Sequence, residues 1–132
     1  MKLRLRNNSI RLRLTQTEIA QLQETGIVEE VIDFGSAAEL QFVYGIEISP
    51  MISEIEGRLE KNRITISIPK RQADTWISTD QVGFEKEQPF GGDKTLRILI
   101  EKDFACLEPR SGTEYADTFP HPANIKTRKS PH

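Results

Sequence analysis

Cysteine is nearly missing from this chain of 132 residues, with Cys106 its single example. One thiol closes no internal disulfide, which excludes a secreted scaffold stapled by disulfides. Long apolar runs are missing as well. None approaches the roughly 20 residues of a membrane-spanning helix, and the alternating start Met1-Lys2-Leu3-Arg4-Leu5-Arg6 lacks the apolar stretch of a signal peptide. Neither sign of charge dominates: 18 Lys and Arg face 20 Asp and Glu, a net charge of −2. Global attraction to nucleic acid or to an anionic membrane is therefore ruled out, and any such binding needs a local patch. The expectation is a cytoplasmic protein of bacterial type that is not membrane-associated.

Hydrophobic residues at 36% and charged residues at 29% suit a folded, well-solvated protein, and the length suits one core. Alternation is the strongest local signal. In Lys2 to Arg6 the leucines share one face and the cations the other; Asn7-Asn8-Ser9 interrupts, and Ile10 to Leu14 resumes the pattern. At Thr15 the period changes. Thr15-Gln16-Thr17-Glu18 has the form of a capping box, Ile19, Ala20 and Leu22 supply a buried stripe, and Gly26 suits a left-handed C-cap. A helix over about Gln16 to Thr25 follows.

Strand periodicity then returns, with Val28, Ile32 and Phe34 facing inward and Leu40 to Ile48 alternating until Pro50. Ile55 to Leu59 and Ile64 to Ile68, separated by Lys61-Asn62, are too close for a crossover helix and predict a hairpin. Pro69 opens a second helix at its first position, with Ala73, Trp76 and Ile77 on one face. Val82 to Glu87 is a weaker strand, Gly91-Gly92-Asp93 a turn, and Thr95 to Glu101 a clear strand. No internal repeat is visible. The fold class expected is α+β: a mainly antiparallel sheet or small open barrel with about two covering helices. Its domain spans residues 1–105. The polar, proline-punctuated segment 106–132 is expected to be irregular, and disordered after about residue 124.

Three blocks of residues resemble a known family. Asn8-Ser9-Ile10-Arg11-Leu12-Arg13-Leu14-Thr15-Gln16, Asp80-Gln81-Val82-Gly83-Phe84, and Glu101-Lys102-Asp103-Phe104-Ala105-Cys106-Leu107 followed by Phe119-Pro120-His121-Pro122 are similar to stretches of small bacterial proteins classed as a domain of unknown function. The resemblance implies a compact single-domain bacterial protein and no particular activity.

Two surfaces are candidates for function. Lys2, Arg4, Arg6, Arg11 and Arg13 place five cations and no acid within the first fourteen residues. On paired strands they line one face, about 7 Å apart along each strand, where they could hold phosphates or a nucleic-acid backbone. The expectation is instead that glutamates across the sheet, Glu29, Glu47, Glu54, Glu56 or Glu60, mostly neutralise them. No aromatic residue interleaves these cations, which argues against nucleic acid. Glu54-Ile55-Glu56 beside Arg58 and Arg63 also has a partial likeness to the triphosphate tunnel enzymes, with an incomplete Glu-x-Glu-x-Lys motif.

The second candidate is Cys106, with Asp103, Glu108, Asp117 and His121 nearby in sequence. One thiol and one imidazole fall short of the three or more ligands a zinc site draws from the protein. A structural thiol and no bound metal or other cofactor are therefore expected. The leading functional expectation is a non-enzymatic binding or interaction module, a homodimer through an open sheet edge or face, with its small-molecule ligand unspecified. The alternative is an enzyme or ligand carrier working at the charged sheet face or at Cys106.

Overall fold

A computed structural model describes residues 1–104. The chain opens with strands β1 (Lys2–Arg6) and β2 (Ser9–Leu14), helix α1 (Gln16–Thr25), and strands β3 (Ile27–Asp33) and β4 (Gln41–Ser49). It continues with β5 (Glu56–Glu60), β6 (Arg63–Pro69), helix α2 (Lys70–Ser78), β7 (Gly83–Gly91) and β8 (Lys94–Lys102). The strands form two four-stranded sheets, ordered β1-β2-β8-β7 and β3-β4-β6-β5.

Local chemistry sets most of these boundaries. Thr15 accepts from the Glu18 amide while the Glu18 carboxylate accepts from the Thr15 amide, so the capping box is complete. Gly26 ends α1 in the left-handed conformation, φ 85°, with its N–H on the Leu22 carbonyl. Leu22 is fully buried and Ile19 partly so, whereas Ala20 faces solvent, because the stripe that meets the sheets is narrower than expected. Pro69 stands at the N-cap of α2 and not at its first helical position, its last role in β6 being to end the ladder against Ser49. Ala73 and Trp76 of α2 are fully buried. The Trp76 indole N–H donates to the Val82 carbonyl at 3.0 Å, and its ring meets Phe84 edge-on at 5.3 Å. Truncating Trp76 to alanine is expected to cost about 3–5 kcal/mol.

Sequential strands pair antiparallel, β1 with β2, β3 with β4, β5 with β6, and β7 with β8. The central pair of each sheet is parallel, β2 with β8 and β4 with β6. The sheets are thus mixed and mainly antiparallel, and no closed barrel forms. The parallel pairs lie outside the sequence expectation, which looked for a crossover helix between parallel strands. Between β4 and β6 the crossover is made by β5 and the loop before it.

The order of elements contains a duplication that the residues do not announce. The unit β-β-α-β-β occurs twice, and exchanging the two units maps one sheet onto the other. The equivalence reaches individual atoms. Asn7 and Lys61, each with φ 55°, occupy the turns of the equivalent hairpins β1–β2 and β5–β6. The next residues, Asn8 and Asn62, accept from the amides of Arg97 and Val43 at 3.1 and 3.0 Å. Their side-chain amides donate to the carbonyls of Thr95 and Gln41 respectively.

One apolar cluster joins both sheets and both helices. Leu12, Leu14, Ile46, Ile66, Ile68, Ile98 and Ile100 fill the space between the sheets with at most 1% of their surface exposed. Among the described residues that filling leaves no tunnel, and the likeness to the triphosphate tunnel enzymes ends there. Phe34, at 75% exposed, lies beyond β3, and Ile32 and Leu40 are also exposed. The inward-facing role expected of Ile32 and Phe34 fails because the alternation outlasts the first sheet that would cover it.

Candidate functional site

Register places the basic residues. In the β1–β2 hairpin Lys2 lies opposite Arg13 and Arg4 opposite Arg11, while Arg6 lies opposite Ser9. The partners of each pair share a face, and the leucines between them turn inward, so the cations stand on the outer face of the first sheet. Like charges placed directly opposite destabilise a ladder. Two such pairs sit side by side here.

Along the other edge of β2, Arg13 registers with Glu101 of β8 and Arg11 with Leu99. A single carboxylate serves both arginines, and through one oxygen. Glu101 Oε1 accepts from Arg11 Nε at 3.0 Å and lies 2.9 Å from Arg11 Nη2, and Arg13 Nε reaches it at 3.4 Å. Lys2 pairs with Asp103 at 3.3 Å. Among the described residues Arg4 and Arg6 form no ion pair. Lys2, Leu3, Arg4, Arg11 and Arg13 line a cavity of about 380 Å³.

The glutamates expected to neutralise this ridge lie elsewhere. Glu29 pairs with Arg63, Glu47 and Glu56 with Arg58, and Glu54 with Lys86. All but Lys86 stand on or beside the second sheet, which packs against the opposite side of the first. The residue that does reach the arginines, Glu101, comes from a strand at the far end of the chain.

The duplicated unit shows what the same frame carries when it is self-sufficient. Aligning the hairpin turns sets Glu56 against Lys2, Arg58 against Arg4, Thr65 against Arg11, Ser67 against Arg13 and Glu47 against Glu101. In this second arrangement Ser67 Oγ donates to Glu47 at 2.7 Å, and Arg58 reaches Ser67 at 3.0 Å and both Glu47 and Glu56 at 3.4 Å. One cation lies among two carboxylates and a hydroxyl. The backbone frame therefore needs no row of cations, and those of the first unit are an addition to it.

A second polar cluster lies where β1 meets β3. The amino group of Met1 pairs with Glu18 and Glu30, and the Tyr44 hydroxyl donates to Glu30 at 2.9 Å. Burial, helped by that bond to an anion, pushes the Tyr44 phenol up to about 12. Burial also works to raise the Glu18 carboxyl, but its bonds to the Met1 amine and the Thr15 amide prevail and hold it below its ordinary value. Every member of this cluster is satisfied by another, as expected of a structural seam.

Among the described residues no group of three or more His, Cys, Asp and Glu is placed to hold a metal ion. No helix there is long and apolar enough to cross a membrane. Cys106, with Glu108, Asp117 and His121, lies outside the described residues, as does the segment expected to be disordered. Glu101 is the residue of the basic face that sequence reasoning passed over. Its position beside Lys102 at the end of β8 was visible, but nothing local ties it to Arg11 and Arg13.

Neither a curated protein nor a solved structure matches the chain. Over residues 1–123 the chain matches, and so belongs to, the family of unknown function DUF7009.

Proposed function

We propose that this protein is a small cytoplasmic binding module whose ligand is an anion, held on the outer face of the first sheet by Lys2, Arg4, Arg11 and Arg13. One observation carries the reading: two like-charged pairs face each other around a single cavity. The equivalent positions of the duplicated unit carry Glu56, Arg58, Thr65 and Ser67 instead. A repulsive arrangement that the frame can do without is accounted for by a partner of opposite charge. Guanidinium forks suit phosphate or carboxylate oxygens, which they bind in bidentate fashion. The cavity has the size of a site for a small phosphorylated molecule and holds no aromatic platform for nucleic-acid bases. Its lining residues include no serine, cysteine, histidine or carboxylate, and the one amine among them, that of Lys2, is paired with Asp103, which supports binding over catalysis.

The test uses the frame's own alternative residues. The full chain and an Arg11→Thr, Arg13→Ser double variant are titrated with inorganic phosphate and pyrophosphate by calorimetry at low salt. Saturable binding to the wild type, lost in the double variant, is the expected result. No saturable binding by the wild type overturns the reading. Tight binding of double-stranded DNA that weakens steeply with salt replaces it with a nucleic-acid surface, and turnover of pyrophosphate replaces it with an enzyme.

A further inference from the structure

We infer that Glu101 is an internal competitor of the ligand, and that the site therefore selects dianions, such as a phosphoryl group, over monoanions. The inference rests on reading the basic face as the ligand site. All three close contacts of Glu101 with the arginines fall on Oε1. That oxygen occupies the place a ligand oxygen takes between two guanidinium forks. Its counterpart Glu47 is secured by the Ser67 hydroxyl as well as by Arg58. The Glu101 carboxylate accepts no hydrogen bond among the described residues except those from the two arginines, so nothing else retains it when they turn to another anion.

Charge balance then sets the preference. Four cations line the cavity, and the two carboxylates that reach them, Glu101 and Asp103, leave a surplus of two positive charges. A monoanion that displaces Glu101 exchanges one carboxylate-strength partner for another and gains little. A dianion displaces Glu101 and also meets the surplus at Arg4, whose guanidinium has no ion-pair partner among the described residues.

The experiment compares the full-length wild type with Glu101→Gln, which keeps the shape of the side chain and removes its charge. Each is titrated with inorganic phosphate above pH 8, where the dianion prevails, and with acetate, while NMR follows the Nε–H signals of Arg11 and Arg13. Wild type is expected to bind phosphate and ignore acetate, with both arginine signals moving. Glu101→Gln is expected to bind phosphate roughly three- to tenfold more tightly, as loss of a partly buried competing pair allows, and to begin binding acetate. Weaker phosphate binding by the variant overturns the inference and makes Glu101 a positioning carboxylate; unchanged binding overturns it too. If neither protein binds any anion, the reading of the face as a ligand site has failed instead. Thermal melting of Glu101→Gln alongside Glu101→Ala separates a binding effect from a folding defect.

Discussion

The side-chain amide of Gln88 closes on the backbone of Gly57, accepting its N–H at 2.7 Å and donating to its carbonyl at 3.0 Å. Gln88 lies on β7 of the first sheet and Gly57 on β5 of the second. Both are edge strands, and an edge leaves backbone donors and acceptors without a ladder partner. The amide substitutes for one rung. Gly57 is suited to the position by space: an added Cβ would lie 3.0 Å from Ile98 Cδ1 and 3.3 Å from Ile66 Cδ1. Gln88→Ala is expected to cost about 1–3 kcal/mol by leaving both groups unsatisfied. Urea denaturation checks this, and a midpoint equal to wild type would show that water replaces the amide without loss.

Arg4→Glu tests whether the basic face carries a stability penalty. A carboxylate placed opposite Arg11 turns a repulsive cross-strand pair into an attractive one. The variant is expected to be more stable than wild type by about 0.2–1 kcal/mol while losing affinity for phosphate. A rise in melting temperature with loss of binding is the signature. A fall in stability would mean that Arg4 has a structural role beyond the ion pairs among the described residues.

Tyr44 supplies a pH-dependent signature. Absorbance titration should show a tyrosine phase at about 12. Tyr44→Phe should remove the late phase. Because the folded state raises this pKa, the associated stability is complete below the unfolded value near 10 and is lost as pH climbs toward 12. A single phase near 10 in the native protein would contradict the buried bond to Glu30.

The duplicated turns make a paired prediction. Asn8→Ala and Asn62→Ala each remove one side-chain hydrogen bond to an equivalent strand carbonyl. Each is expected to cost about 1 kcal/mol, and the two costs should agree closely and add in the double variant, since the turns serve different sheets. Chemical denaturation of the three variants measures this. A large cost at one site alone would show that the equivalence stops at the backbone.

Much of the fold was legible in the residues. Alternation from Lys2 to Leu14 and from Arg63 to Ile68, the box at Thr15 to Glu18, Gly26, and the short turns each act within a few positions, so local sterics and hydrogen bonds suffice to specify them. The row of cations was legible for the same reason, since period-two alternation commits them to one face. The duplication escaped notice because its two copies agree in geometry more than in side chains. Asn8 repeats as Asn62, but Arg11 and Arg13 become Thr65 and Ser67.

The sequence by itself determined the strands, both helices, the caps of α1 and the presence of a basic face. Only the tertiary structure decided what that face meets. Alternation fixes the face a side chain takes but not the strand that comes to lie beside it, because register between distant segments is set by how the whole core closes. Closing the core paired β2 with β8, brought Glu101 to Arg11 and Arg13, and sent Glu29, Glu47 and Glu56 to the other sheet. Lys2 and Arg13, like Arg4 and Arg11, were left facing each other.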